Sequence, residues 1–197
     1  MSSPEDILQN ALAAHFAGQL TAAEVGYHRV LRLHPANAQA LHGLGVIHFG
    51  AGDRDRGIDC LLRSVQASPQ FGPAWNTLGS MYMETDKPFE AKLAYQRAIE
   101  VAPDLSEAWY NLAICARQDE DRETMVAHLR KAIACPRAFT LAYELLARTL
   151  EELGRRQESA QILTEWLARD PANATAQRLA VAGGAAAENT PARVPEP

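Results

Sequence analysis

Prolines recur at Pro35, Pro69, Pro103, Pro136 and Pro171, at intervals of 34, 34, 33 and 35 residues. A second track repeats at 34 residues: Gly18, Gly52, Asp86, Glu120 and Gly154. A third, Ile7, Leu41, Trp75, Trp109 and Tyr143, has the same spacing and is large and apolar throughout. Three tracks with one period restrict the chain to stacked copies of a single supersecondary unit, each burying its apolar face against its neighbours.

Helical periodicity fills each unit. In residues 72–105, Trp75, Leu78, Gly79 and Tyr82 follow steps of three and four, which places them on one helical face. Glu84-Thr85-Asp86-Lys87-Pro88 breaks the pattern as a turn. Ala91, Tyr95, Ala98 and Ile99 then resume it, until Pro103 closes the second helix. The unit is therefore two antiparallel helices. Small residues such as Gly79, Ala91 and Ala98 let the two approach closely, and aromatic rings fill the space around them.

These residues resemble the tetratricopeptide repeat, whose pattern is W-x2-L-G-x2-Y, then A-x3-F, then P. Residues 72–105 supply Trp75, Leu78, Gly79, Tyr82, Ala91, Tyr95 and Pro103, with Tyr in the Phe slot. Residues 38–71 match through Leu41, Leu44, Gly45 and Pro69, and depart at His48 and Gly57. Residues 106–139 match through Trp109, Leu112, Ala113, Leu129 and Ala132, with Met125 in the small slot and Pro136 one place early. Residues 140–173 match through Tyr143, Leu146, Ala147, Leu163 and Pro171. The first unit, 4–37, is the most divergent, with Ala11, Ala14, Ala23, Tyr27 and Pro35. The resemblance implies an all-α, right-handed superhelical solenoid of five helix pairs. A capping helix is expected over 174–182, ending at Gly183-Gly184, and 183–197 reads as a linker or tail without large apolar residues to bury.

Composition narrows the function. The chain has 197 residues, a formal net charge of −5, 47% apolar residues and no basic block, which argues against non-specific nucleic-acid binding. It contains no apolar run long enough for a membrane span and no signal-peptide pattern, and a cytoplasmic location is expected. Cys60, Cys115 and Cys135 have no motif spacing and read as reduced, small hydrophobes within helices. Gly43-x-Gly45 lacks the third glycine of a phosphate loop and reads as a close helix contact. No HExxH, CxxC or GxSxG occurs, and His42 and His48 lie six apart, on opposite sides of one helix. Neither a metal, a cofactor nor catalysis is expected.

The resemblance places the first helix of every unit on the concave face of the solenoid, where partners bind. Faces left over from core packing define the expected groove. The first helix offers Leu8, Leu12, His15 and Phe16, and the second His42, Val46 and Phe49. The third offers Asn76, Thr77, Ser80 and Met83, and the fourth Tyr110, Asn111, Ile114 and Arg117. The fifth offers Glu144, Arg148, Glu151 and Glu152. Asn76 and Asn111 each carry a donor and an acceptor for a peptide backbone. Arg117 and Arg148 suit carboxylates, and Phe49, Met83 and Tyr110 suit anchoring contacts. The lysine-asparagine carboxylate clamp of some family members is missing, because Leu8, His42 and Gly43 stand along the corresponding helices. The asparagine ladder of sugar-transferase repeats is also largely absent. Asn111 keeps its slot, whereas Gln9, Gly43, Thr77 and Leu145 replace it elsewhere.

The expected function is a protein-interaction scaffold that holds an extended peptide in its groove. The alternative is the N-terminal recruiting module of a larger enzyme, of methyltransferase, glycosyltransferase or oxygenase type. Phe16, Leu20 and Val181 are candidates for weak homodimerisation.

Overall fold

The computed structural model describes residues 3–137 and 140–188. Eleven helices follow one another among them: α1 (Pro4–Phe16), α2 (Leu20–Leu33), α3 (Ala38–Gly50), α4 (Arg54–Ala67), α5 (Gly72–Glu84), α6 (Pro88–Val101), α7 (Ser106–Gln118), α8 (Arg122–Ala134), α9 (Thr140–Glu152), α10 (Arg156–Arg169) and α11 (Ala174–Glu188). Odd-numbered helices begin every 34 residues, and so do the even-numbered ones from α2 to α10. Each odd helix packs on the even helix after it, and each even helix on the next odd one, which gives five antiparallel pairs and a closing helix. No helix of the described residues is long and apolar enough to cross a membrane.

The glycine and acidic track marks the turn inside each pair. Gly18, Gly52 and Gly154 have φ of +72°, +91° and +73°, and Asp86 and Glu120 both have φ of +57°. All five terminate a helix in the left-handed region, where a side chain costs roughly 1–2 kcal/mol and glycine costs little. Prolines govern the other junction. A residue before proline is pushed out of the helical region, and His34, Ser68, Ala102 and Asp170 all leave it at ψ of 77–87°. Pro136 comes one place early, and α8 accordingly stops after 13 residues where α2, α4, α6 and α10 have 14.

Packing around the small residues explains their placement. A Cβ on Gly79 would lie 2.6 Å from the Tyr95 ring, and one on Gly43 would lie 2.4 Å from Tyr27. Gly57 is tighter still in kind, since its Cβ would meet backbone: the Phe49 nitrogen at 2.9 Å and the Gly45 oxygen at 3.0 Å. Tyr27, which packs over Gly43, and Leu61, which packs over Gly45, are fully buried, as are Leu129 and Leu146. Each contributes roughly 2 kcal/mol by leaving water. Trp75 and Trp109 are half-buried and donate their indole Nε1–H to the Pro69 and Pro103 carbonyls, at 2.9 and 2.8 Å. Gln177 occupies the equivalent place in α11 and donates Nε2–H to the Pro171 carbonyl at 2.8 Å. One hydrogen-bonded joint thus recurs at three of the unit boundaries, while Tyr143, in the same slot, donates to Glu165 instead.

One boundary differs from expectation. The helix does not stop at Gly183-Gly184 but runs on to Glu188. Each glycine costs only about 1 kcal/mol relative to alanine inside a helix, and the strong helix formers Ala185, Ala186 and Ala187 follow immediately. The remainder of the expected tail, 189–197, lies outside the described residues.

Candidate functional site

First helices touch first helices directly: α1 on α3, α3 on α5, and α5 on α7. No second helix packs comparably on another second helix among the described residues. Long side chains span that wider side instead. Arg130 reaches Glu158, and Arg155 reaches Glu123 at 3.0 Å. The stack is shorter along the odd helices, so their exposed faces form the concave side.

Along that side, hydrogen bonds join successive units with an offset of 35 residues. His42 Nε2 lies 2.9 Å from Thr77 Oγ, and Asn111 Nδ2 donates to Asn76 Oδ1 at 2.9 Å. The Thr77 hydroxyl already donates its one proton to the Pro73 carbonyl at 2.9 Å. His42 must therefore be the donor, as the neutral Nε2–H tautomer. Its setting favours that form: burial, reinforced by the neighbouring His15, lowers its pKa to about 4, and the ring packs edge-on against Phe71. Next along the groove, Ser80 donates to the Asn76 carbonyl at 3.3 Å and accepts from the Tyr95 hydroxyl at 3.2 Å. Tyr95 stays protonated, its pKa raised to about 12 mainly by burial.

No buried side-chain nitrogen or oxygen among the described residues lacks a hydrogen-bond partner. The second valences of the Asn76–Asn111 pair, a donor on Asn76 and an acceptor on Asn111, are thus open to solvent. Beside them lies a depression of about 460 Å³, lined by Val46, Phe49, Arg54, Thr77, Ser80 and Glu84. Arg54 covers one face of the Phe49 ring, 5.9 Å from its centroid. The depression pairs an apolar floor with two hydroxyls and one charge of each sign at its rim.

The other expected surface residues differ in what they present. Leu8 is buried and belongs to the core, and His15 turns inward to Tyr27, with Nδ1 3.0 Å from its hydroxyl. Met83 and Tyr110 are half-buried and pack against core clusters, so little more than an edge of each faces the groove. Arg148 is not available as a free cation, since it pairs with Glu144 on its own helix at 2.9 Å; residues four apart share a helical face. Arg117 is exposed and has no ion-pair partner among the described residues. Phe16 and Val181 are 90% and 73% exposed, and Leu20 is also exposed. Reading one slot at a time at a 34-residue period missed the cross-unit pairs. The signal was present as His42/Thr77 and Asn76/Asn111, both at 35 residues.

Gly43, in the slot that carries an asparagine in sugar-transferase repeats, lies under Tyr27, where no side chain fits without displacement of the ring. Burial raises the pKa of Cys60, Cys115 and Cys135 and keeps them as thiols, the form that is neither nucleophile nor metal ligand.

Comparison with known proteins agrees with this geometry. Models described as tetratricopeptide repeat match residues 8–70, 72–105 and 142–175. A peroxisomal targeting signal receptor of Eremothecium gossypii is 32% identical over 92 residues, which cover 47% of this chain and 16% of the receptor. The chain therefore corresponds to only a small part of that relative's length. PilF of Pseudomonas aeruginosa superposes with a TM-score of 0.80 over 94% of this chain and 84% of its own, at 16% identity. YrrB, described as a TPR protein with an unusual peptide-binding site, superposes with a TM-score of 0.60 over 89% and 91%, at 17% identity. The 34-residue helix pairs, the left-handed turn in each and the matching models agree: the chain belongs to the tetratricopeptide-repeat family.

Proposed function

We propose that the chain is a non-enzymatic scaffold that holds an extended peptide segment along the odd helices, centred on α3, α5 and α7. The observation that carries this reading is the Asn76–Asn111 bond. Each amide spends one valence on the other, which fixes its orientation, and keeps another for a partner. A peptide backbone needs alternating donors and acceptors at fixed places, and two locked carboxamides supply them at low entropic cost. The adjoining depression around Phe49, Thr77 and Ser80 takes one side chain. Arg117, exposed and unpaired among the described residues, gives a carboxylate a place to dock. Supporting evidence comes from the relatives as well, since one is named as a receptor for a targeting signal and another as a protein with a peptide-binding site.

The test is selection of binding sequences from a displayed random-peptide library, followed by affinity measurement on Asn76→Ala/Asn111→Ala. The expected result is a converging peptide motif whose affinity falls at least tenfold in the double variant, with helical circular dichroism unchanged. Binding that is indifferent to both asparagines overturns the groove assignment.

A further inference from the structure

Where the first unit meets the second, three side chains with metal-ligand atoms converge. Glu24 and His28 lie four apart on α2 and share one of its faces. The Glu24 carboxylate oxygen is 3.9 Å from His28 Nε2. His48 rises from the last turn of α3, and one ligand atom from each of the three lies within 4.8 Å of the others. His48 is the departure from the repeat pattern noted above, standing where the consensus has Tyr. Its spacing from His42 excludes those two as co-ligands, and it says nothing of α2, whose contribution depends on how the first unit stacks on the second.

We propose that Glu24, His28 and His48 form a binding site for a divalent transition-metal ion of zinc type, which clasps the first repeat onto the second. Two imidazoles and one carboxylate are the donor set of an open zinc site, with a fourth position left for water or another ligand. The set does not suit calcium or magnesium, which take six or more oxygens, many of them from water or carbonyls. Tetrahedral bonds of about 2.0–2.1 Å place neighbouring donors roughly 3.4 Å apart. Closing the triad from its present spacing needs about 1 Å of movement by side chains, and Glu24 and His28 have the freedom, being half-buried and exposed on one helix face. The three line a surface depression of about 660 Å³, which leaves an entry route and room for the fourth ligand. Three guanidinium groups line the depression: Arg32 forms no ion pair among the described residues, and the other two are already paired. Arg56 lies 3.3 Å from Asp53, and Arg63 lies 3.9 Å from Asp59.

The location gives the site a purpose. A terminal repeat has a neighbour on one side only and frays first. The first unit is also the most divergent of the five. A bond across α2 and α3 ties it down only when metal is bound, by an amount set by metal concentration over Kd.

The experiment uses the full chain without an affinity tag, stripped with a chelator. Zinc titration is followed by thermal denaturation, and cobalt titration by visible absorption, which is intense for tetrahedral cobalt. The expected result is a saturable rise in melting temperature and one equivalent of cobalt. His28→Ala and Glu24→Gln, both on an accessible face, weaken cobalt binding at least tenfold and remove the thermal shift. His34→Ala, at the exposed C-terminus of α2, changes neither. The proposal is overturned if 100 μM zinc leaves the melting temperature of the parent unmoved, or if His28→Ala and Glu24→Gln keep their helical signal and bind cobalt as the parent does.

Discussion

Asn111 donates a hydrogen bond of 2.9 Å to Asn76, one residue out of step with the 34-residue repeat, and His42 and Thr77 meet with the same offset. Adjacent odd helices are thus read diagonally, residue n against n + 35. This diagonal follows from the rotation between stacked units, which slides one helix past the next. Asn111→Ala removes a neutral hydrogen bond at a half-buried site and should cost roughly 1 kcal/mol of stability. Peptide binding should suffer far more, because the orientation of Asn76 is lost with it. Parallel thermal melts and affinity titrations of Asn111→Ala check both halves of this expectation.

Two glycines separated by one residue should respond in opposite directions to the same substitution. Gly50 is the last residue of α3, and a Cβ there meets nothing within 4 Å. Gly50→Ala should stabilise by roughly 0.5–1 kcal/mol. Gly52 also has open space around it, but its φ is +91°. Gly52→Ala should destabilise by roughly 1–2 kcal/mol. Chemical denaturation of the two variants reads the sign directly.

Glu120 holds the same left-handed position with a side chain present, at φ +57°. Glu120→Gly should relieve that strain and raise stability by roughly 1 kcal/mol, against the usual cost of adding a glycine. A melting temperature at or below that of the parent would contradict the left-handed turn at this residue.

Gly57→Ala should be among the most damaging single-methyl changes. The obstacle is the backbone of Phe49 and Gly45, which no rotamer change moves aside. A loss of roughly 2–3 kcal/mol is expected, as for overpacked cores. Gly79→Ala meets only the Tyr95 ring and should cost less. Urea midpoints for the pair test the ranking.

Acid should weaken the N-terminal half of the solenoid through His42. Its pKa is about 4 in the folded chain and near 6.5 when unfolded. Between those values the unfolded state binds the proton and the folded state does not, so stability falls as pH drops from about 6.5 to 4. The full shift corresponds to roughly 3 kcal/mol. Burial lowers the His128 pKa as well and acts in the same sense, so the decisive quantity is the difference between parent and His42→Gln. Urea unfolding at pH 7 and pH 4.5 should show a shallower pH dependence in the variant.

The repeat and the helix pairs were legible in the chain, because each depends on contacts within one unit or its immediate neighbour, whereas the end of α11 was not. Gly18, Gly52, Asp86, Glu120 and Gly154 stood out by spacing alone, and the structure shows that all five lie in left-handed turns; the early Pro136 coincides with the shortened α8. The residues expected on the groove were less legible than the repeat. Leu8 and His15 turned inward, and Arg148 was spent on Glu144, since burial and pairing depend on rotamers and on the neighbouring unit. The 35-residue diagonal and the meeting of Glu24, His28 and His48 belonged to tertiary structure outright. Both arise from the rotation and slide of one unit on the next, a quantity that a period along the chain does not contain.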